Sequence, residues 1–260
     1  MIKILVAGFT GSMGQKAVRM VNHDSNLQLV GAYAPSAKKI NRKAYHLGQN
    51  VKIFDSLDQI NTDADVWIDF TLPSAVYENT KFAIQHHIRP VIGTSGLSAK
   101  QMKSLRDLSK PAKVGGVIAP NFGLSAVLLM KFAQSAAKYF PDVEIIEMHH
   151  GDKADAPSGT ALNTAQLIDQ VRPRHQQGAK HPVETLKNVR GGDYHGIRIH
   201  SVRLPGYIAH EQVLFGGPGE ALTIRQDSFD RGSFMKGVKI AVNKVSDLDH
   251  VVFGLENILD

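Results

Sequence analysis

Two adjacent histidines and a lysine, His149, His150 and Lys153, lie within five positions of one another, between a β-type run and a Pro-Ser-Gly-Thr turn. Imidazole can release a proton near neutral pH, and an ammonium group pairs with carboxylates. The turn contains Ser158, a typical helix N-cap, so a helix start with free backbone N–H groups would follow it. Together these groups predict a site for an anionic substrate that must receive a proton.

The turn carries the anion-binding part of this prediction. Apolar residues recur at helical spacing after Ser158, so the N–H groups of Gly159 and Thr160 would lie in the first turn, where anions bind well. Neighbouring side chains of a strand point to opposite faces. His149 and His150 can therefore reach one site only from a strand end or a loop.

Simpler interpretations of these residues exist. A histidine at a strand end is more often a hydrogen-bonded structural residue than a catalytic one. The spacing of two histidines, a lysine and a Ser-Gly-Thr cap favours the chemical interpretation here. The histidines could also bind a metal, but the chain has no cysteine and no obvious third cluster of carboxylates and histidines. We therefore expect no metal site.

The composition is that of an ordinary globular protein of 260 residues, enough for one large domain or two modest ones. The lack of cysteine excludes disulfides and thiolate chemistry and is compatible with the cytoplasm, where we expect the protein. We expect no membrane span and no secretory signal, because the apolar runs are too short. The net charge of +6 is diffuse and aromatic residues make up only 7%. We therefore expect small anionic ligands rather than nucleic acid.

The start of the chain has the context of a dinucleotide site. Ile2–Ala7 is rich in β-branched residues, and a loop with Gly8, Gly11 and Gly14 leads from it into a helical pattern. In such a strand–loop–helix arrangement, backbone N–H groups bind the pyrophosphate. Thr10 occupies the second glycine place of the usual pattern. An ordinary strand–helix turn is the alternative interpretation.

The end of the second predicted strand, Leu27–Tyr33, bears on the choice of cofactor. An Asp or Glu about 20 residues after the glycine pattern normally binds the ribose 2′-hydroxyl of NAD. Here residues 34–39 are Ala-Pro-Ser-Ala-Lys-Lys, with no acid. We interpret Lys38 and Lys39 as favouring a 2′-phosphate, which predicts NADPH over NADH. The alternative is that both lysines are merely solvated.

Strands and helices alternate through the first half of the chain, which predicts an α/β fold with a Rossmann-like, doubly wound parallel sheet. Ligands bind at the carboxyl ends of such strands. Four loops rich in Gly, Thr and Asn fall there, at 8–14, 71–74, 93–96 and 119–122.

The pattern changes after a long helix that begins near Asn121. Strands then follow one another with few helices between them, which predicts a second α+β domain with a mixed, largely open sheet. We place the dinucleotide-binding domain at 1–121, with 231–260 returning to it. The substrate-binding and oligomerisation domain is placed at 122–230.

Residues 149–161 resemble the H-H-x-x-K-x-D-x-P-S-G-T-A signature of the 4-hydroxy-tetrahydrodipicolinate reductase family, long called dihydrodipicolinate reductase. Residues 69–71, 93–96 and 119–122 and the glycine loop are similar to the cofactor loops of that family, and the match covers nearly the whole chain. The resemblance implies NAD(P)H-dependent reduction of 4-hydroxy-tetrahydrodipicolinate to tetrahydrodipicolinate on the route to diaminopimelate and lysine. It also implies a homotetramer assembled through the sheet of the second domain.

The resemblance implies roles for individual residues. His149 would donate the proton, and Lys153 would be a second proton donor and an anchor. The substrate would be bound by His150, Ser158, Gly159 and Thr160. The cofactor would be held by residues of three loops: Gly8, Phe9, Thr10, Gly11, Ser12, Met13, Gly93, Thr94, Ser95, Ala119, Pro120, Asn121 and Phe122. Lys38 joins this set through the argument on the 2′-phosphate.

The chain departs from the family pattern in places. Ser12 stands where many members have arginine, which bears on cofactor preference rather than on the reaction. His210 and Glu211 differ from the Gly-Glu-His that many members carry nearby. We assign no role to these two residues, nor to Arg225 and Arg231.

Two other functions fit parts of the sequence. A sugar or amino-acid dehydrogenase could share the two-domain organisation, although the aldehyde-oxidising type needs a cysteine nucleophile that this chain lacks. A regulator that binds NADP without turnover would need the glycine loop. It would not need a histidine and a lysine beside an anion site.

Overall fold

The computed structural model describes residues 1–37 and 40–259. The chain folds into two compact units, Met1–Phe122 together with the chain from Phe234 onwards, and Gly123–Ser233. The predicted cofactor residue Lys38 lies outside the described residues. None of the described helices is long and apolar enough to cross a membrane.

The regular elements are as follows. The strands are β1 Ile2–Ala7, β2 Leu27–Tyr33, β3 Lys52–Phe54, β4 Val66–Asp69, β5 Arg89–Ile92, β6 Gly116–Ile118, β7 Asp142–His149, β8 Gly192–Tyr194, β9 Ile197–Arg203, β10 Ala209–Gly217, β11 Glu220–Ser228 and β12 Val251–Phe253. The α-helices are α1 Ser12–Asn22, α2 Val76–Gln85, α3 Ala99–Ala112, α4 Leu124–Ala136, α5 Gly159–Asp169 and α6 Phe234–Lys244.

The first unit is built on a seven-stranded sheet in the order β12-β6-β5-β4-β1-β2-β3. Every neighbouring pair in it is parallel. The predicted Rossmann-like fold is therefore confirmed. Parallel strands covered on both faces need continuous apolar sequences. The end of β1 has such a sequence, since Ile4, Leu5, Val6 and Ala7 are all fully buried.

The second unit is a five-stranded sheet in the order β11-β10-β7-β9-β8. Strands β7 and β9 are parallel and the other pairs are antiparallel, so the predicted mixed sheet is confirmed. Helices α4 and α5 contact the sheet. The side chains of Ile145 and Val213 are fully buried on one face of it. On the opposite face, Ile146 and Leu214 stay partly exposed.

Some boundaries differ from those predicted. Helix α4 begins at Leu124, after Gly123 as N-cap, rather than at Asn121. Helix α3 includes Pro111 in its last turn. Strand β8 was not predicted, because its three residues are largely exposed and show no apolar alternation.

Candidate active site

The glycine loop after β1 is packed backbone against backbone. Gly8 has a φ of +76°, and a Cβ there would lie 2.4 Å from the carbonyl oxygen of Phe70. A Cβ on Gly14 would lie 2.1 Å from the carbonyl oxygen of Gly8. Gly11 precedes α1 and supplies no side-chain cap to its first turn. The loop and the helix start therefore offer backbone N–H groups at close approach, which fits a pyrophosphate.

The other predicted cofactor residues lie where the strands of the first sheet end. The side chains of Phe9, Ala119 and Phe122 are buried in the apolar core. These residues can offer a ligand mainly their backbone groups. Thr10, Ser12, Met13, Ser95, Pro120 and Asn121 are partly or fully exposed.

A buried carboxylate fixes two of these loops. Asp69 is fully buried at the end of β4. Its Oδ1 accepts hydrogen bonds from the Thr71 backbone N–H at 2.9 Å and from the hydroxyls of Thr71 and Thr94 at 2.6 and 3.0 Å. Its Oδ2 accepts from Trp67 and Asn79. Asp69 thus joins the loops after β4 and β5, a role that was not predicted from the sequence.

The loop after β2 lies beside the glycine loop. Gly8 N–H donates to the carbonyl oxygen of Tyr33 at 2.8 Å, and the hydroxyls of Thr10 and Ser36 are 3.4 Å apart. A ribose-binding acid would stand in this segment after β2. Ser36 therefore stands in the segment where such an acid would distinguish NAD from NADP. The prediction of NADPH from the sequence rested on the missing acid and on the two lysines that follow.

The second unit has its own buried carboxylate, Glu147, on β7. Its Oε2 accepts from His149 Nδ1 at 2.6 Å and from Arg203 Nη1 at 2.9 Å. Its Oε1 accepts from Arg203 Nη2 at 2.7 Å and from the Ser158 backbone N–H at 3.1 Å. Burial alone would raise the pKa of Glu147. The hydrogen bonds from His149 and Arg203 outweigh burial and hold that pKa at about 2.

The charge on Glu147 determines which nitrogen of His149 can react. An ionised carboxylate only accepts hydrogen bonds, so Nδ1 of His149 must carry the proton between them. The ring can then exchange a proton only through Nε2. Because the side chain of His149 is 14% exposed, a ligand can reach it. Glu147 precedes His149 by two positions, and this spacing places both on one face of β7.

Lys153 and the helix start follow His149 along the chain. Lys153 Nζ donates to both carboxylate oxygens of Asp155, at 2.6 and 2.8 Å. Ser158 caps α5 by accepting from the Ala161 N–H at 3.2 Å. Gly159 is exposed, and a Cβ there would meet nothing within 4 Å. Thr160 and His150 are partly exposed, His150 just beyond the end of β7.

The residues without an assigned role divide into two kinds. His210 is buried, accepts from the Ile208 N–H at 3.3 Å and contacts Asp227 at 2.7 Å. Arg225 donates to the same Asp227 carboxylate. These contacts give both residues structural partners, whereas Arg231 is exposed.

No group of three or more His, Asp or Glu side chains within 1–37 and 40–259 could hold a metal ion.

Glu211 is the most unusual of the unassigned residues. It lies opposite Glu147 in the β7–β10 pairing and is only 2% exposed. Among the described residues, no group donates a hydrogen bond to its Oε1. Burial raises the pKa of Glu211 to about 7; the nearby Glu147 carboxylate adds to the rise and a contact with Thr164 opposes it. A proton on Glu211 avoids placing two negative charges side by side in the interior.

Comparison with known proteins identifies relatives of both units. Residues 2–122 match the family model described as "Dihydrodipicolinate reductase, N-terminus", and residues 125–259 match its C-terminal counterpart. A 4-hydroxy-tetrahydrodipicolinate reductase of Lactobacillus helveticus is 69% identical over 258 residues, which cover 99% of this chain and 98% of the relative. The resemblance of the sequence to this family is therefore confirmed.

Solved structures agree with this relationship. A dipicolinate-bound dihydrodipicolinate reductase from Paenisporosarcina sp. TG-14 has a TM-score of 0.92 and 46% sequence identity, with complete coverage of both chains. An apo scyllo-inositol dehydrogenase from Lactobacillus casei has a TM-score of 0.65 but only 10% identity, and it covers 99% of this chain and 92% of its own. The second likeness concerns the fold alone.

Glu211 makes the stability of the second unit depend on pH. The folded protein keeps the Glu211 proton up to about pH 7, whereas an unfolded chain releases it near pH 4.5. This group therefore lowers the free energy of unfolding by about 3 kcal/mol in total as pH rises from about 4.5 to 7. Glu147, whose folded pKa is about 2, contributes a slope of opposite sign up to about pH 5.5, where an unfolded chain still binds part of its proton. This contribution is the same in the wild type and in a variant at position 211.

We expect Glu211→Gln to abolish this loss. Between pH 4.5 and 8, the free energy of unfolding of the variant should therefore rise by about 3 kcal/mol relative to that of the wild type. Urea denaturation at fixed protein concentration measures the difference. Glu220→Gln, which removes an exposed carboxylate on β11, serves as the control and should leave the wild-type slope unchanged. If the free energy of unfolding changed with pH in the same way for Glu211→Gln and the wild type, that result would contradict a protonated Glu211.

Proposed function

The chain belongs to the dihydrodipicolinate reductase family, and we propose that it reduces 4-hydroxy-tetrahydrodipicolinate to tetrahydrodipicolinate with a nicotinamide dinucleotide, on the route to diaminopimelate and lysine. The observation that carries this proposal is the Glu147–His149 pair, in which a buried carboxylate holds Nδ1 and leaves Nε2 to exchange a proton. The names of the relatives support the choice of substrate.

The second unit would bind the two carboxylates of the substrate. An ammonium group has three N–H donors, so Lys153 can bind a substrate carboxylate while it pairs with Asp155. The backbone N–H groups of Gly159 and Thr160 at the start of α5 would add a second anion-binding element, with Ser158 and His150 beside them. The relative from Paenisporosarcina binds dipicolinate, a dicarboxylate, which supports this assignment.

The first unit would bind the cofactor. Phe9, Thr10, Ser12 and Met13 would hold the pyrophosphate through backbone N–H groups. Gly8 and Gly11 would permit the close approach, since their own N–H groups donate to the carbonyl oxygens of Tyr33 and Gly8. The remaining cofactor residues would come from the loops after β5 and β6, at 93–95 and 119–122. Asp69 holds the first of these loops in place through Thr94.

His149 would supply the proton. Loss of water from the 4-hydroxy substrate leaves a conjugated cyclic imine, to which the reduced nicotinamide, when bound, supplies a hydride. A protonated His149 would give its Nε2 proton to a nearby atom of that ring. The imidazole left behind keeps its proton on Nδ1, where it already bonds to Glu147. The ring therefore needs no rotation to donate, and a proton from water restores it at the same nitrogen.

We also propose a homotetramer in the cytoplasm. The face of the second sheet that carries Ile146, Val202 and Leu214 leaves these apolar side chains partly exposed, although each lies on an inner strand of that sheet. Burial of this face against other copies of the chain would remove apolar area from water. A biosynthetic reaction that consumes reduced nicotinamide dinucleotide fits the cytoplasm.

We expect His149→Gln to lower kcat by about 100-fold to 10,000-fold, the usual range for loss of a general acid, while dipicolinate still binds. The readouts are NADPH absorbance with freshly prepared substrate and titration calorimetry with dipicolinate. His175→Gln, which alters an exposed histidine paired with Asp142, serves as the control. An unchanged kcat in His149→Gln would remove the assigned role. Turnover of sugars by the wild type would favour the dehydrogenase alternative, and no turnover of any substrate would favour the regulator.

We propose NADPH as the preferred cofactor, because Ser36 replaces a ribose-binding acid beside Thr10. Ser36→Asp should shift the ratio of kcat/KM values towards NADH by about 100-fold, since a carboxylate repels the 2′-phosphate and binds the 2′-hydroxyl. Ser25→Asp adds the same charge at an exposed position before β2 and should leave the ratio unchanged. A wild type that prefers NADH, or equal ratios in the two variants, would count against this preference.

The homotetramer predicts a mass of four chains of 28.4 kDa by light scattering. Leu214→Lys should lower the measured mass below that of four chains, because a charge buried in an interface without a partner destabilises the oligomer. Leu162→Lys, at an exposed apolar position on α5, is the matched control and should leave the mass unchanged. A monomeric wild type at micromolar concentration would contradict the proposal.

A further inference from the structure

Arg203, the last residue of β9, uses all of its hydrogen-bond donors. Its Nη1 and Nη2 donate to the two oxygens of Glu147, at 2.9 and 2.7 Å. The same two nitrogens also donate to the carbonyl oxygens of Val202 at 2.8 Å and Asp155 at 2.7 Å. Nε donates to the carbonyl oxygen of Lys153 at 3.3 Å. A guanidinium group has five N–H donors, and each of them has a partner here.

Four of these five bonds, all except the one to Val202, join two segments that hold the groups proposed to act on the substrate. One segment is the end of β7, where Glu147 orients the ring of His149. The other is the loop at 153–155, where Arg203 binds the carbonyl oxygens of Lys153 and Asp155, and Asp155 in turn binds the Lys153 ammonium. In the sequence, Arg203 is about 50 residues from both segments, so only the fold brings them together.

We propose that Arg203 is a positioning residue that fixes the ring of His149 and the loop of Lys153 through one guanidinium group. The inference rests on the proposed function, since it takes His149 and Lys153 as the groups that meet the substrate. Lysine cannot replace it, because an ammonium is a point charge with three donors and cannot form the planar fork that binds both oxygens of Glu147.

The same domain contains a matched arginine without these connections. Arg172 is 8% exposed and donates to the carbonyl oxygens of Pro141 at 3.1 Å and His195 at 3.0 Å. Like Arg203, it joins distant backbone segments from a largely buried position. Neither of these partners belongs to the segment 147–160. Arg172→Lys therefore reports the general cost of losing a buried arginine in this unit.

The experiment compares Arg203→Lys with Arg172→Lys in the full-length protein with NADPH. Arg203→Lys should lower kcat by about 100-fold, because a shift of about 1 Å in a catalytic group costs that much. It should raise KM about tenfold through the displaced Lys153 loop. NADPH affinity should not change, because the cofactor loops lie in the first unit. Arg172→Lys should keep both kinetic constants near the wild-type values, even if its melting temperature falls equally.

Chemical rescue separates positioning from packing. The side chain of Arg203 is 17% exposed, so a small cation can reach the space left in Arg203→Ala. Millimolar guanidinium should restore part of kcat in Arg203→Ala, whereas methylammonium, which lacks the planar fork, should not. Arg172→Ala should not respond to either cation. If Arg203→Ala fails to fold, Arg203→Lys carries the test alone.

Two results would overturn the inference. One is Arg203→Lys with kcat and KM like those of the wild type, and the other is an equal kinetic loss in Arg203→Lys and Arg172→Lys. A wild type without turnover would instead contradict the proposed function. The NMR signal of the His149 Nδ1 proton, assigned by its loss in His149→Gln, then decides the inference. That signal should shift or broaden in Arg203→Lys and stay in place in Arg172→Lys.

Discussion

A buried carboxylate that stays ionised must be hydrogen-bonded on every side, and in the second unit this requirement falls on Glu147. An uncompensated charge in the interior costs several kcal/mol, so the fold must bring donors to it. The donors come from three places: the ring of His149, the guanidinium of Arg203 and the backbone N–H before α5. The strand end, the neighbouring strand and the helix start are thereby fixed to one point. The proposed proton donor lies beside that point.

The first unit also contains a buried carboxylate that accepts several hydrogen bonds, but its proposed role differs. Asp69 at the end of β4 gathers the hydroxyls of Thr71 and Thr94 and the side chains of Trp67 and Asn79. Its donors are neutral, whereas those of Glu147 include a guanidinium. This difference suits the tasks proposed for the two units. Asp69 only holds loops in place, whereas Glu147 must also keep a proton on Nδ1 of the His149 ring.

The fold was predictable from the sequence because its signals are local. Apolar runs mark the parallel strands, and the glycine spacing marks the loop after β1. The spacing of His149, Lys153 and Ser158 indicated the candidate site for the same reason. Arg203 gave no such signal, since its role depends on the parallel register of β7 and β9 across 56 residues. Glu147 could have been found, because it shares a strand face with His149. Ser36 was overlooked in favour of the lysines that follow it.

The contact between Glu147 and Arg203 also limits how this site can change during evolution. Loss of either partner removes the opposite charge that the fold pairs with the other, at a cost of about 3–5 kcal/mol, which is a large part of the stability of a typical domain. A single substitution at either position would cause this loss of stability, whereas exchange of both residues for apolar ones would not. The two positions are therefore expected to covary within a lineage, and a descendant that has lost one partner should also have lost the other.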